Sequence, residues 1–165
     1  MGFWGHLLLA RDNRPLGTLR EARAFGQPEH ERRLDRGWSV LWVGREPPDL
    51  RSALTPVVAA TRAPALVAYV LDSDCAAIEA LTPSGLRWTG VLKPATAADS
   101  YEAVVAQYDG ASTAVAGAIR WSREAGLTPS EADLRKALTD EPDFAEEAFD
   151  QLLVGLGVPG AAKTT

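Results

Sequence analysis

Ala65-Leu-Val-Ala-Tyr-Val-Leu-Asp-Ser-Asp-Cys-Ala-Ala-Ile-Glu-Ala-Leu81 decides the fold. One apolar run, Leu66–Leu71, ends in Asp72-Ser-Asp74, and a second, Cys75–Leu81, starts at once. Apolar runs this short, bounded by polar turn residues, read as buried strands. Downstream, Thr82-Pro-Ser-Gly85 is a type I turn signal, with proline second and glycine fourth. Leu86–Leu92 then alternates Leu86, Trp88, Gly90 and Leu92 against Arg87, Thr89 and Val91, which predicts a third strand and a meander.

Upstream, Phe3–Arg11 reads as a first, central strand, because it is apolar on both faces. Thr18-Leu-Arg-Glu21 has the capping-box pattern and predicts a short helix ending near Phe25-Gly26. Glu31–Leu34 and Trp38–Val43 flank Asp35-Arg-Gly37, the pattern of a hairpin with a three-residue loop. Trp38, Val40 and Trp42 then share one face, and Ser39, Leu41 and Val43 the other. Pro47-Pro48-Asp49 opens a helix to about Arg62, with Leu50, Leu54, Val57, Val58 and Thr61 at helical spacing. Pro56 inside it predicts a kink, or two short helices with Thr55 as a cap.

After Lys93-Pro94 alanine density rises and four helices are expected. They cover about Asp99–Gln107, Ser112–Ala125, a start capped at Thr128-Pro-Ser-Glu131, and a last helix capped by Asp143-Phe-Ala-Glu146. The last places Phe144, Ala148, Phe149, Leu152 and Leu153 on one apolar side. The expected fold is α+β: an antiparallel or mixed sheet of five or six strands over residues 3–92, with a helical half, 95–157, packed on one face. Residues 1–157 are expected to form a single domain, and 158–165 a flexible tail.

The chain has 165 residues, 46% hydrophobic and 24% charged, an ordinary globular composition. No apolar run is long enough for a membrane helix, and the opening residues lack the basic region of a secretion signal, so a cytoplasmic location is expected. His6 breaks the myristoylation pattern after Gly2. The single Cys75 excludes an internal disulfide and a cysteine-based zinc site. Net charge is −5: residues 1–62 carry ten arginines and seven acids, residues 63–165 seven basic residues and fifteen acids. An acidic chain argues against nucleic acid, although Arg11, Arg14, Arg20, Arg23, Arg32, Arg33 and Arg36 offer a local basic patch.

Asp72 and Asp74 are the sharpest candidates for chemistry, because two carboxylates at a strand end can share a hard cation. A haloacid-dehalogenase-like phosphatase would follow the second acid with a small residue and threonine, where this chain has Cys75 and Ala76. A glycosyltransferase would place a nucleotide-binding half before the pair, and no Gly-rich phosphate loop precedes it. Ala76 and Ile78 stand where a calcium loop needs oxygen ligands. The remaining reading is that Asp and Ser bind backbone N–H groups and fix a turn. Cys75, among acids and small apolar residues, reads as a packed core thiol. His6 is either a general base or a hydrogen-bonded strand histidine.

Five tryptophans, Trp4, Trp38, Trp42, Trp88 and Trp121, either pack between sheet and helices or leave an aromatic patch. Trp4, His6, Arg11 and Trp38, with Asp72 and Asp74, form the candidate binding set. Asp140, Glu141, Asp143, Glu146, Glu147 and Asp150 either complement a helix dipole or dock a basic partner.

Gly2-Phe-Trp-Gly5, Arg62-Ala-Pro64, Asp72-Ser-Asp-Cys75 and Ala125-Gly-Leu-Thr-Pro129 resemble small uncharacterised bacterial proteins of similar length. The resemblance spans most of the chain and carries no activity to transfer. In size, acidity and fold class the chain is also similar to bacterial toxin-neutralising (immunity) proteins. The expectation is a non-catalytic cytosolic protein that binds another protein, without a cofactor. The competing expectation is a small metal-dependent hydrolase using Asp72 and Asp74, and an Arg-lined small-molecule binder comes third.

Overall fold

The computed structural model describes residues 2–44 and 49–162. Six strands form one sheet: β1 (Gly5–Arg11), β2 (Pro28–Arg33), β3 (Trp38–Val43), β4 (Ala65–Leu71), β5 (Cys75–Leu81) and β6 (Arg87–Leu92). Their order is β2-β3-β1-β4-β5-β6, and every neighbouring pair is antiparallel. The fold is α+β, as the strand patterns indicate. β1 lies between β3 and β4, which explains why both of its faces are apolar.

Helices cover both faces. Leu7, Leu9, Trp38, Val40, Leu66, Ala68, Ile78 and Trp88 form one core with α4 (Ala111–Glu124), α5 (Glu131–Ala137) and α6 (Ala145–Leu156). Leu8, Ala10, Leu41, Val43 and Val67 form the other with α1 (Leu50–Thr61) and two 3-10 stretches, Leu16–Thr18 and Arg20–Phe25. α2 (Pro94–Ser100) and α3 (Glu102–Val105) close a smaller cluster over Leu71 and Cys75. The helical half therefore divides: α4, α5 and α6 take one face, and α2 and α3 lie against β5 and β6 from the other. Gly117 lets α4 sit directly on the sheet, since a Cβ there would overlap the Trp88 side chain. Trp121, fully buried on α4, donates its indole N–H to the carbonyls of Ala65 and Leu81 at 3.2 Å each.

Several punctuation signals act differently from their sequence reading. The Thr18 hydroxyl donates to Pro15 O at 2.7 Å and caps nothing; Glu31 instead accepts the Leu16 and Gly17 N–H groups, both at 2.9 Å. Asp49 caps α1 through the Arg51 N–H, while Pro47 and Pro48 lie outside the described residues. α1 runs unbroken through Pro56, so Thr55 is no cap. Pro56 and Ser52 both face solvent, where water can satisfy the carbonyl that the proline leaves without a donor. The helix expected from Asp99 starts at Pro94 and breaks at Tyr101. α5 starts at Glu131, with Ser130 rather than Thr128 as its cap, because the Ser130 N–H is drawn to Gly155 O at 2.8 Å. The expected loose tail is docked as far as it is described: Val158 is buried and Pro159 O accepts the Asp35 N–H at 3.1 Å. Residues 163–165 lie outside the described residues. Among the described residues no helix is long and apolar enough to cross a membrane.

Candidate functional site

Asp72 and Ser73 are the two central residues of the β4–β5 hairpin turn, with φ of +52° and +58° and a bond from Asp74 N–H to Leu71 O at 2.9 Å. The register pairs Leu71 with Cys75, so the loop is Asp72-Ser-Asp74, and its first two residues take the left-handed conformation that follows the sheet's own twist. Neither is glycine, and each costs roughly 1–2 kcal/mol of left-handed strain. Hydrogen bonds from elsewhere in the chain offset that cost. Asp72 Oδ1 accepts the Gly2 N–H at 2.7 Å, and Ser73 Oγ accepts the Phe3 N–H at 2.7 Å. The Ser73 N–H returns to Phe3 O at 2.9 Å. Gly2 is required by this approach, since a Cβ would run into the Asp72 carbonyl. The Ser73 carbonyl accepts the first N–H of α6, from Ala145, at 2.8 Å. That bond replaces the Asp143 cap expected from sequence and leaves Asp143 and Phe144 outside the helix.

This turn gathers the exposed apolar residues. Among the described residues three large hydrophobics stand exposed: Trp4 at 37%, Val104 at 37% and Phe144 at 53%. Trp4 packs edge-on against Tyr101 with centroids 6.4 Å apart, and the Tyr101 hydroxyl donates to Asp74 Oδ2 at 2.9 Å. The Val104 N–H donates to Tyr101 O at 2.9 Å, which seats Val104 beside that ring's backbone. Phe144 directly precedes Ala145, whose N–H is bound to the turn. Phe144, expected on the buried side of α6, is thus on the surface.

The surroundings are acidic. Asp72, Asp74, Asp143, Glu146 and Glu147 lie on the turn and the α6 start, and Asp99 and Glu102 flank Tyr101 in the chain. Among the described residues none of these seven is in an ion pair. Lys93, at this end, is buried, with its ammonium donating to Asp143 O at 3.2 Å. Desolvation, the Asp74 hydrogen bond and the Asp72 charge push the Tyr101 phenol up to about 12. Burial and then the Asp74 charge push the Cys75 thiol up to about 11, which leaves it an inert core group.

The candidate residues separate into three places. Trp4, Asp72 and Asp74 come together at this end. Arg11 and Trp38 pair across β1 and β3 at the opposite end. There the Arg11 guanidinium lies 5.2 Å from the Trp38 ring centroid and donates to Ala125 O at 3.0 Å. Trp38 is 1% exposed and packs 6.0 Å from Trp121, so it belongs to the core and presents no surface. His6 is also buried, on the α1 face; it stacks on Tyr69 at 4.8 Å, and its Nδ1 lies 3.1 Å from Gly44 O. Three of the seven arginines of the patch are in ion pairs: Arg14 with Asp12, Arg32 with Asp150 and Arg33 with Glu31. Sequence reading missed Tyr101, Val104 and exposed Phe144. The signal available for Tyr101 was an aromatic inside a weak helix pattern, and its partners are remote in sequence.

Among the described residues no three His, Cys, Asp or Glu side chains gather as a metal-ligand group. Comparison with known proteins finds no matching family model, no matching curated protein and no matching solved structure.

Proposed function

We propose that the chain is a non-catalytic cytosolic protein, of the immunity or accessory kind, that docks a basic segment of another protein at the Asp72-Ser-Asp74 end. The observation that supports this most is the coincidence of Trp4, Val104 and Phe144 around one turn, among acids that form no ion pair among the described residues. Exposed aromatics over a fixed backbone are the usual anchors of a protein interface. The acidic rim selects Lys- and Arg-bearing partners and accelerates their encounter. The turn itself is held by bonds from three parts of the chain, so the anchors are ordered before a partner arrives.

A photo-crosslinking amino acid tests this when placed at Trp4, at Phe144, and at Arg36 on the opposite end of the sheet. In the cells that make the protein, the first two positions should capture one common protein and Arg36 should not. Binding of that protein should weaken at least about tenfold in Trp4→Ala and Phe144→Ser, and should fall with added salt. Equal capture from Arg36, or no capture from either anchor, overturns the reading.

The competing reading, a metal-dependent hydrolase, would require Asp72 and Asp74 to release Gly2 N–H and the Tyr101 hydroxyl. Its support would be a melting temperature raised by Mg²⁺ or Mn²⁺ and restored to baseline by Asp72→Asn with Asp74→Asn.

A further inference from the structure

On the α1 face the two helical covers do not meet. α1 crosses Leu8, Val67 and Leu81, while α2 and α3 cover Leu71 and Cys75. Between them a cleft of about 340 Å³ opens onto the sheet, lined among the described residues by Asp49, Arg51, Glu79, Thr89, Gln107 and Tyr108. Glu79 is its floor: it stands on β5 between Val67 and Thr89 of the neighbouring strands. A carboxylate in the middle of a sheet face is costly unless the protein pairs it. Here Glu79 Oε2 is shut off from solvent with no hydrogen-bond partner among the described residues. Arg51 and Arg87 draw the Glu79 carboxyl down, but burial outweighs them and, with Asp49 and Asp109 opposing the charge, it sits above the usual carboxylate range.

The rest of the lining is divided by availability. Asp49 is spent on the α1 cap, accepting from Arg51 N–H at 3.1 Å and from the Ser52 hydroxyl at 2.6 Å. Thr89 Oγ1 accepts the Asp109 N–H at 2.9 Å. The Arg51 guanidinium, exposed at the rim, makes no hydrogen bond or ion pair among the described residues, not even with Glu79. Tyr108 and Gln107 line the same cleft, and burial pushes the Tyr108 phenol above its ordinary value. The cleft thus holds a carboxylate at its floor and a guanidinium at its rim, neither of them in a hydrogen bond or ion pair among the described residues.

We propose that this cleft binds a free α-amino acid, with the ligand ammonium on the Glu79 carboxylate and the ligand carboxylate on Arg51. An α-amino acid carries one charge of each sign on a small molecule, matching the one carboxylate and one guanidinium of this lining that no hydrogen bond or ion pair occupies, and Gln107 and Tyr108 line the same cleft. The site is independent of the acidic patch at the hairpin turn, which shares none of its residues.

The test is thermal shift and calorimetry on the full chain at neutral pH, with each common α-amino acid added singly at millimolar concentration. Ethylamine and acetate serve as probes carrying one charge each. At least one amino acid should raise the melting temperature where ethylamine and acetate do not. Glu79→Gln should abolish that response, and Arg51→Ala, an exposed change that leaves the core intact, should weaken binding about tenfold or more. The proposal is overturned if no amino acid binds, if ethylamine binds as well as the amino acid, or if Glu79→Gln and Arg51→Ala bind like the parent chain.

Discussion

The Ser73 hydroxyl donates to Glu146 Oε2 at 2.8 Å while accepting the Phe3 N–H at 2.7 Å. One side chain, 5% exposed, therefore ties the first residues, the β4–β5 hairpin and the start of α6 together. Ser73→Ala removes both bonds and leaves a part-buried N–H and a part-buried carboxylate without partners. It should cost about 1–3 kcal/mol in urea unfolding. Ser73→Gly loses the same bonds but relieves the left-handed strain at φ +58°, so it should be less damaging than alanine. An unchanged midpoint in Ser73→Ala would show that the clasp contributes nothing.

Trp4 is the exposed tryptophan at the acidic end; Trp42, packed on Phe3 at 4.9 Å, is part-buried, and Trp38, Trp88 and Trp121 are buried. Relative to free N-acetyltryptophanamide, its fluorescence should be quenched more efficiently by caesium and less efficiently by iodide at equal ionic strength, because the rim attracts the cation and repels the anion. Trp4→Phe should remove most of the caesium-sensitive signal. A caesium-to-iodide quenching ratio no higher than that of the free tryptophan standard would contradict an acidic rim.

These predictions rest on features of unequal legibility. The strands Ala65–Leu71, Cys75–Leu81 and Trp38–Val43 were legible to within a residue, because apolar runs and turn residues are local signals. The helix starts were not, because their N–H groups find remote partners. Ala145 binds Ser73 O, Ser130 binds Gly155 O, and Ala95 and Thr96 bind the Glu141 carboxylate at 2.9 and 3.1 Å. No window of sequence around Pro94 contains Glu141. The candidate site shows the same division. Asp72-Ser-Asp74 stood out in the sequence, whereas the meeting of Trp4, Tyr101 and Phe144 around it follows from topology alone. Trp38 and His6 were drawn into the candidate set by residue type, and their strands turn both inward.

His6 gives the fold an acid sensitivity. Burial lowers its pKa below the ordinary 6.5, against weaker support from the backbone oxygens of Gly44 and Phe25. The unfolded chain then binds the proton more tightly than the folded one. The contribution of neutral His6 is present above 6.5 and is lost as pH falls through the lower folded value. Unfolding midpoints should drop between pH about 7 and about 5, and His6→Gln should flatten that part of the profile. A slope unchanged in His6→Gln would assign the sensitivity to other groups.

Glu79 works with the opposite sign. Its carboxyl is raised above the model-compound 4.5 by burial, so the folded state holds the proton more tightly than the unfolded one. Its contribution is present below 4.5 and is lost as pH rises through the folded value, which makes the charged form a burden at neutral pH. Glu79→Gln keeps the shape and removes the charge. It should therefore stabilise the fold at pH about 7, by an amount on the order of 1 kcal/mol, and the gain should vanish near pH about 4, where the carboxyl is neutral in both states. Parallel denaturation curves for parent and variant at the two pH values measure the difference directly. A variant less stable than the parent at neutral pH would mean that Arg51 and Arg87 compensate the charge within the fold. A variant that is more stable and has lost amino-acid binding would identify Glu79 as a residue the fold carries at a cost for the sake of a ligand.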